Sequence, residues 1–147
     1  MATYLNVSKL SFATSEELKE FLPPNIVDAH VHISKKEHCY DYQLNNPNKW
    51  VYRVGVYQEY EVLTETYKNL FPDSNVRSVL LGHVSGKLLP SNDYISEIIK
   101  KTNDVGLFCT SYDMSSDFLE EKVINGGFLG LKPYCDNCNP KVNGADA

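Results

Sequence analysis

The chain has 147 residues, 42% of them hydrophobic and 22% charged, with a formal net charge of −5. Those values describe one ordinary globular domain with a single core, and the acidic balance with no Lys/Arg-rich run excludes nucleic acid and an anionic membrane surface as expected partners. No apolar stretch approaches the roughly 20 residues that span a bilayer, the N-terminus lacks the basic and apolar regions of a secretory signal, and four cysteines (Cys39, Cys109, Cys135, Cys138) are too few for a disulfide framework in a chain this long, so a cytoplasmic location is expected.

The segment ATSEELKEFLPP predicts a short helix, with Thr14 and Glu17 at capping-box spacing and Pro23-Pro24 as its stop. Ile26 to Ile33 predicts a first strand, and the polar stretch 34–55, containing NNPNKW, a long loop. From Val56 to Phe71 apolar residues recur at 56, 60, 63, 67, 70 and 71, which is helical spacing closed by Pro72-Asp73. NVRSVLLGHV (75–84) predicts a second strand. Ser91 or Asn92 is placed to cap a helix whose apolar face is Ile95, Ile98 and Ile99.

VGLFCTSY (105–112) predicts a third strand. Ser115-Ser116 then caps a helix carrying Phe118, Leu119 and Val123, stopped by Asn125-Gly126-Gly127. GFLGLKPY (127–134) predicts a fourth strand, ahead of a polar tail over 135–147 that is expected to be mobile. Strands alternating with amphipathic helices imply βαβ crossovers and a parallel sheet. A complete (β/α)8 barrel takes about 250 residues, so a core over 15–134 holds about four β/α units: either a small open α/β sheet or part of a barrel.

Side chains alternate across a strand, so Ala29, Val31 and Ile33 should share one face of the first strand and Asp28, His30 and His32 the other. A lone core histidine is ordinarily structural, whereas two imidazoles at i and i+2 on the end of an apolar strand lie close enough to converge on one metal ion. In the fourth strand the same alternation groups Phe128, Gly130, Lys132 and Tyr134 on one face, with Leu129, Leu131 and Pro133 on the other. Lys132 then falls in the layer of His32, where a lysine serves as a cation or, carbamylated, as an anionic bridging ligand.

IVDAHVHI (26–33) resembles the first-strand metal signature of the amidohydrolase superfamily, and GGFLGLKPY (126–134) with LFPDSNVRSVLLG (70–82) resembles its amidohydrolase-related branch. The resemblance implies a (β/α)8 TIM barrel, here its first four units, with a divalent metal ion, most often zinc, at the C-terminal rim. It implies His30 and His32 as ligands, Lys132 at the fourth-strand lysine position and Asp28 as a second-shell group. The reaction implied is hydrolysis of an amide, ester or lactone-like carbonyl in a small-molecule substrate; some members of the superfamily decarboxylate aromatic acids instead.

The family's other histidine ligands come from strands five and six and its catalytic aspartate from strand eight, so the site is expected to be incomplete within these residues. His83, near the end of the second strand, is a weaker ligand candidate, and His38 in the polar loop is expected to be solvated. The single Cys135-x-x-Cys138 pair is a weak structural-metal signal. A non-catalytic interaction module is the rival reading, using the tyrosine-rich segment YRVGVYQEYEVLTETY (52–67) or an exposed sheet edge, through which self-association is expected.

Overall fold

A computed structural model describes residues 17–44, 57–83 and 86–133. Four strands, β1 (Asn25–His32), β2 (Asn75–Leu81), β3 (Val105–Thr110) and β4 (Gly130–Pro133), form a sheet in the order β1-β2-β3-β4, every pair parallel. Helices α1 (Tyr60–Leu70), α2 (Leu88–Ile99) and α3 (Ser116–Gly126) make the connections. The α/β class and the parallel sheet read from the sequence are therefore present.

These three helices cover the same face; within the stretch expected to be a long loop, a 3₁₀ turn at Lys36–His38 and a four-residue helix at Asp41–Leu44 also form. Leu63 of α1 and Tyr94, Ile95 and Ile98 of α2 pack in one buried cluster with Val31, Ile33, Leu80, Phe108 and Phe128, and Phe118, Leu119 and Val123 of α3 close over it. A doubly wound sheet reverses its strand order and carries helices on both faces. Here the order runs straight through and the described helices leave the other face without a helical layer. Leu80 and Ile95 are fully buried at its centre, each stabilising the fold by about 1.5–3 kcal/mol relative to exposure.

Helix boundaries follow local chemistry. Ser115 caps α3 by accepting from the Phe118 N–H at 3.3 Å, and Gly127 ends it in the left-handed region at φ 76°. The expected cap of α2 at Ser91 or Asn92 is corrected: the helix begins at Leu88, because Pro90 is tolerated in a first turn. Ser91 and Asn92 are fully buried inside α2, the Ser91 hydroxyl donating to the Lys87 carbonyl at 3.0 Å. α1 begins at Tyr60 rather than Val56, which lies outside the described residues, as does Thr14. The described end of the leading segment is a 3₁₀ turn at Lys19–Phe21.

Candidate metal centre

The register of β1 on β2 contains one irregularity that decides where its polar residues go. Asp28 pairs with Ser78 and Val31 with Leu80, so three steps along β1 match two along β2. One extra residue is thus inserted between Asp28 and Val31, a β-bulge. Ser78 and Leu80 share a face of β2, and Leu80 lies in the helix-side core. Asp28 therefore sits on the helix side with Val31 and Ile33, where its Oδ2 accepts from the Tyr67 hydroxyl of α1 at 2.8 Å. Strict alternation had grouped Asp28 with His30 and His32 and Ala29 with Val31; the bulge corrects both placements, and Ala29 is exposed.

His30 and His32 emerge on the face opposite α1, α2 and α3, at the C-terminal end of β1. Their rings are tilted by 53° with centroids 5.1 Å apart, and the two Nε2 atoms approach to 3.1 Å. Two imidazole nitrogens bound to one tetrahedral zinc ion at 2.0–2.1 Å would stand about 3.3 Å apart. His32 Nδ1 lies 2.8 Å from the Gly82 carbonyl, which accepts only, so Nδ1 carries the proton. In the neutral ring His32 Nε2 is then a lone pair, and His30 Nε2–H donates to it. Although His32 keeps an exposed edge, burial of the rest lowers its pKa below 6.5; the Gly82 carbonyl opposes that shift, and His30 and Lys132 add to it.

Gly82 organises the neighbouring strand ends. Its carbonyl holds His32, and its N–H meets the Cys109 thiol of β3. A Cβ on Gly82 would stand 3.1 Å from the Ser91 Cβ and 3.4 Å from Asn92 Oδ1, so the approach to α2 depends on glycine. Cys109 is fully buried, and burial pushes its thiol up to about 11 against the opposing pull of Gly82 N–H and Lys132. Cys109 pairs in register with Lys132, so both belong to the face of His30 and His32. Lys132 thus stands on the expected face, near enough for its charge to act on His32.

Phe128 does not, because β4 starts only at Gly130. Its ring packs edge-on against Phe108 in the helix-side core, centroids 5.3 Å apart. Tyr134 and the Cys135/Cys138 pair lie outside the described residues.

Sequence reasoning missed Asn92. Past Leu80 and Gly106, β2 and β3 no longer pair, and the Asn92 side chain enters the gap as a substitute strand. Its Nδ2 donates to the Cys109 carbonyl at 2.9 Å and its Oδ1 accepts from the Cys109 N–H at 3.0 Å. The only sequence signal was a polar residue in phase with Ile95 and Ile99 on a buried helix face.

His38 is not solvated. It is buried at 6% exposure, with Nδ1 accepting from the Lys35 N–H at 3.1 Å and its ring edge-on to Tyr94. Burial first, then Lys35, His83 and Lys87, lower its pKa, against the pull of Glu37. His83 stands beside this loop rather than being grouped with His30 and His32: its ring lies 3.1 Å from a Cβ built on Gly86. Among the described residues no three His, Cys, Asp or Glu side chains come together as a metal site. A cleft of about 530 Å³ lined by Lys35, Tyr60, Tyr94 and Glu97 lies on the helix side, away from the pair.

No family model, curated protein or solved structure matches the chain. Among the described residues no helix is long and apolar enough to cross a membrane.

Proposed function

We propose that the chain is the metal-binding half of an amidohydrolase-type hydrolase, four β/α units of a barrel whose C-terminal rim carries the site. The observation that carries this reading is the convergence of His30 and His32 Nε2 to 3.1 Å at the end of a parallel strand, on the face opposite α1, α2 and α3. The straight strand order with helices on one side supports the barrel part, since that is how a closed (β/α)8 sheet is wound.

His30 and His32 would hold the ion through Nε2, a donor set suited to zinc and open to other divalent metals. A divalent cation there supplies Lewis-acid chemistry, polarising a carbonyl and bringing water toward ionisation near neutral pH. The chain's own residues do the positioning. The Gly82 carbonyl fixes the His32 tautomer that leaves Nε2 available. Lys132, on the same face, adds a positive charge that disfavours protonation of His32. The substrate class is a small molecule with an amide, ester or lactone-like carbonyl.

Catalytic zinc normally takes three protein ligands, and the third, with the general base, must come from outside the described groups. The test is zinc-dependent hydrolysis of p-nitrophenyl acetate and a panel of lactones. We expect slow ester turnover above the metal-only background, as an incomplete two-histidine site would give, lost in the His30→Ala/His32→Ala double variant. Equal rates for variant and wild type would sink the catalytic reading.

The rival reading, an interaction module, draws on a different observation. Leu131 on β4 and Leu129 just before it are 46% and 74% exposed, with Ile124 of α3 also exposed nearby in sequence. An apolar strand with an open edge invites association. The tyrosine-rich segment supports that reading less, because Tyr60 donates to Asp104 at 2.6 Å and Tyr67 to Asp28. Sedimentation over a concentration series should show association that Leu131→Glu weakens; a monomer at all concentrations contradicts it.

A further inference from the structure

We propose that Asp28 and Tyr67 act as positioning residues, clamping the β1 bulge so that the His30 and His32 rings converge. The proposal deepens the metal-site reading and rests on it for its functional meaning. A one-residue bulge leaves a backbone amide outside the ladder. Here that amide is His30 N–H, and Asp28 Oδ1 accepts from it at 3.3 Å, taking the place of a β2 carbonyl. The other carboxylate oxygen is tied to α1 through the Tyr67 hydroxyl at 2.8 Å.

Tyr67 also receives a hydrogen bond from the Ser78 side chain, and Ser78 is the register partner of Asp28. The Ser78 N–H in turn donates to Asp104 Oδ1 at 2.7 Å, and Tyr60 of α1 donates to Asp104 Oδ2. Asp28 is thus held from two elements at once, by β2 beside it and α1 above it. Burial and the adjacent carboxylate raise the Tyr67 pKa well above the usual phenol value, so the hydroxyl remains a donor.

Loss of the clamp frees the bulge to relax toward a regular strand. That relaxation would carry Asp28 out of the helix layer and rotate His30 relative to His32, which is anchored separately at Gly82. Asp28 would therefore influence the site without touching the ion, by setting the backbone from which His30 projects. The Asp28–Tyr67 contact is on the helix side, whereas the rings are on the opposite face.

The experiment compares wild type with Tyr67→Phe, Asp28→Ala and Asp28→Asn. Metal-free long-range ¹H–¹⁵N spectra of the imidazoles report which ring nitrogens carry protons, and a Co²⁺ titration reports affinity. Wild type should show His32 protonated at Nδ1 and His30 at Nε2. Tyr67→Phe, which removes a single oxygen and whose fold is checked by circular dichroism, and Asp28→Ala should give mixed tautomers. Both should also bind Co²⁺ about tenfold or more weakly, the usual scale for groups that orient a ligand. Asp28→Asn, which keeps an acceptor for His30 N–H, should restore most of both readouts.

Unchanged tautomers in Tyr67→Phe and Asp28→Ala overturn the proposal, as does a wild-type spectrum without the paired tautomers. A wild type that shows the pair yet binds no Co²⁺ defeats the metal reading instead, and the spectra of the variants then decide the clamp on their own.

Discussion

His30 and His32 were legible in the sequence because i and i+2 on one strand share a face whatever the strand pairs with. Asp28 was not legible, since its face depends on a bulge that neither Ala29 nor any glycine announces. His38 shows the same limit: a polar loop reads as solvated, yet this ring is packed against Tyr94 and accepts from Lys35 N–H. A protonated His38 could not accept that bond, and burial adds to the cost of its charge. Its folded pKa lies below the 6.5 of the unfolded chain, so the unfolded state takes up protons first as pH falls. Stability is therefore greatest above about pH 6.5 and declines below it, with His32 shifted in the same direction. Urea unfolding midpoints measured from pH 7.5 to 5 should fall, and His38→Asn, whose Oδ1 replaces the Nδ1 acceptor, should flatten part of that slope. An identical slope in the variant contradicts the assignment.

At the scale of elements, the four strands and the three longer helices could be read from apolar spacing and turn residues, and their order came through intact, whereas the short helix Asp41–Leu44 fell in a stretch read as loop. What periodicity could not carry was contact between elements distant in sequence. Asn92 looked like a helix cap because asparagine favours that position; instead α2 starts one turn earlier and presents Asn92 to Cys109, 17 residues on. That pair joins α2 to the part of β3 that β2 has left, directly beneath the Gly82 strand end that holds His32. Asn92→Leu keeps the volume but leaves the Cys109 N–H and carbonyl buried without these partners. At about 1–3 kcal/mol for each, the loss should total roughly 2–6 kcal/mol by urea denaturation. A change below about 0.5 kcal/mol, ordinary for a surface substitution, would mean that the amide does not bridge helix and strand.

For the whole molecule, the alternation of strands and helices indicated a parallel sheet but left open whether helices lie on one face or two. That question turns on strand order, which no local pattern encodes. The order β1-β2-β3-β4 with one helix-covered face leaves His30, His32, Cys109 and Lys132 on the other, and gives the histidine pair its meaning. Among the described residues two imidazoles converge there, with no third His, Cys, Asp or Glu beside them. The central claim is that the pair nonetheless holds a divalent ion. The direct measurement is zinc bound per chain, by elemental analysis after dialysis against zinc and gel filtration, for wild type and the His30→Ala/His32→Ala variant. The account predicts close to one zinc per folded wild-type chain and none in the variant; a well-folded wild type that emerges without zinc contradicts it.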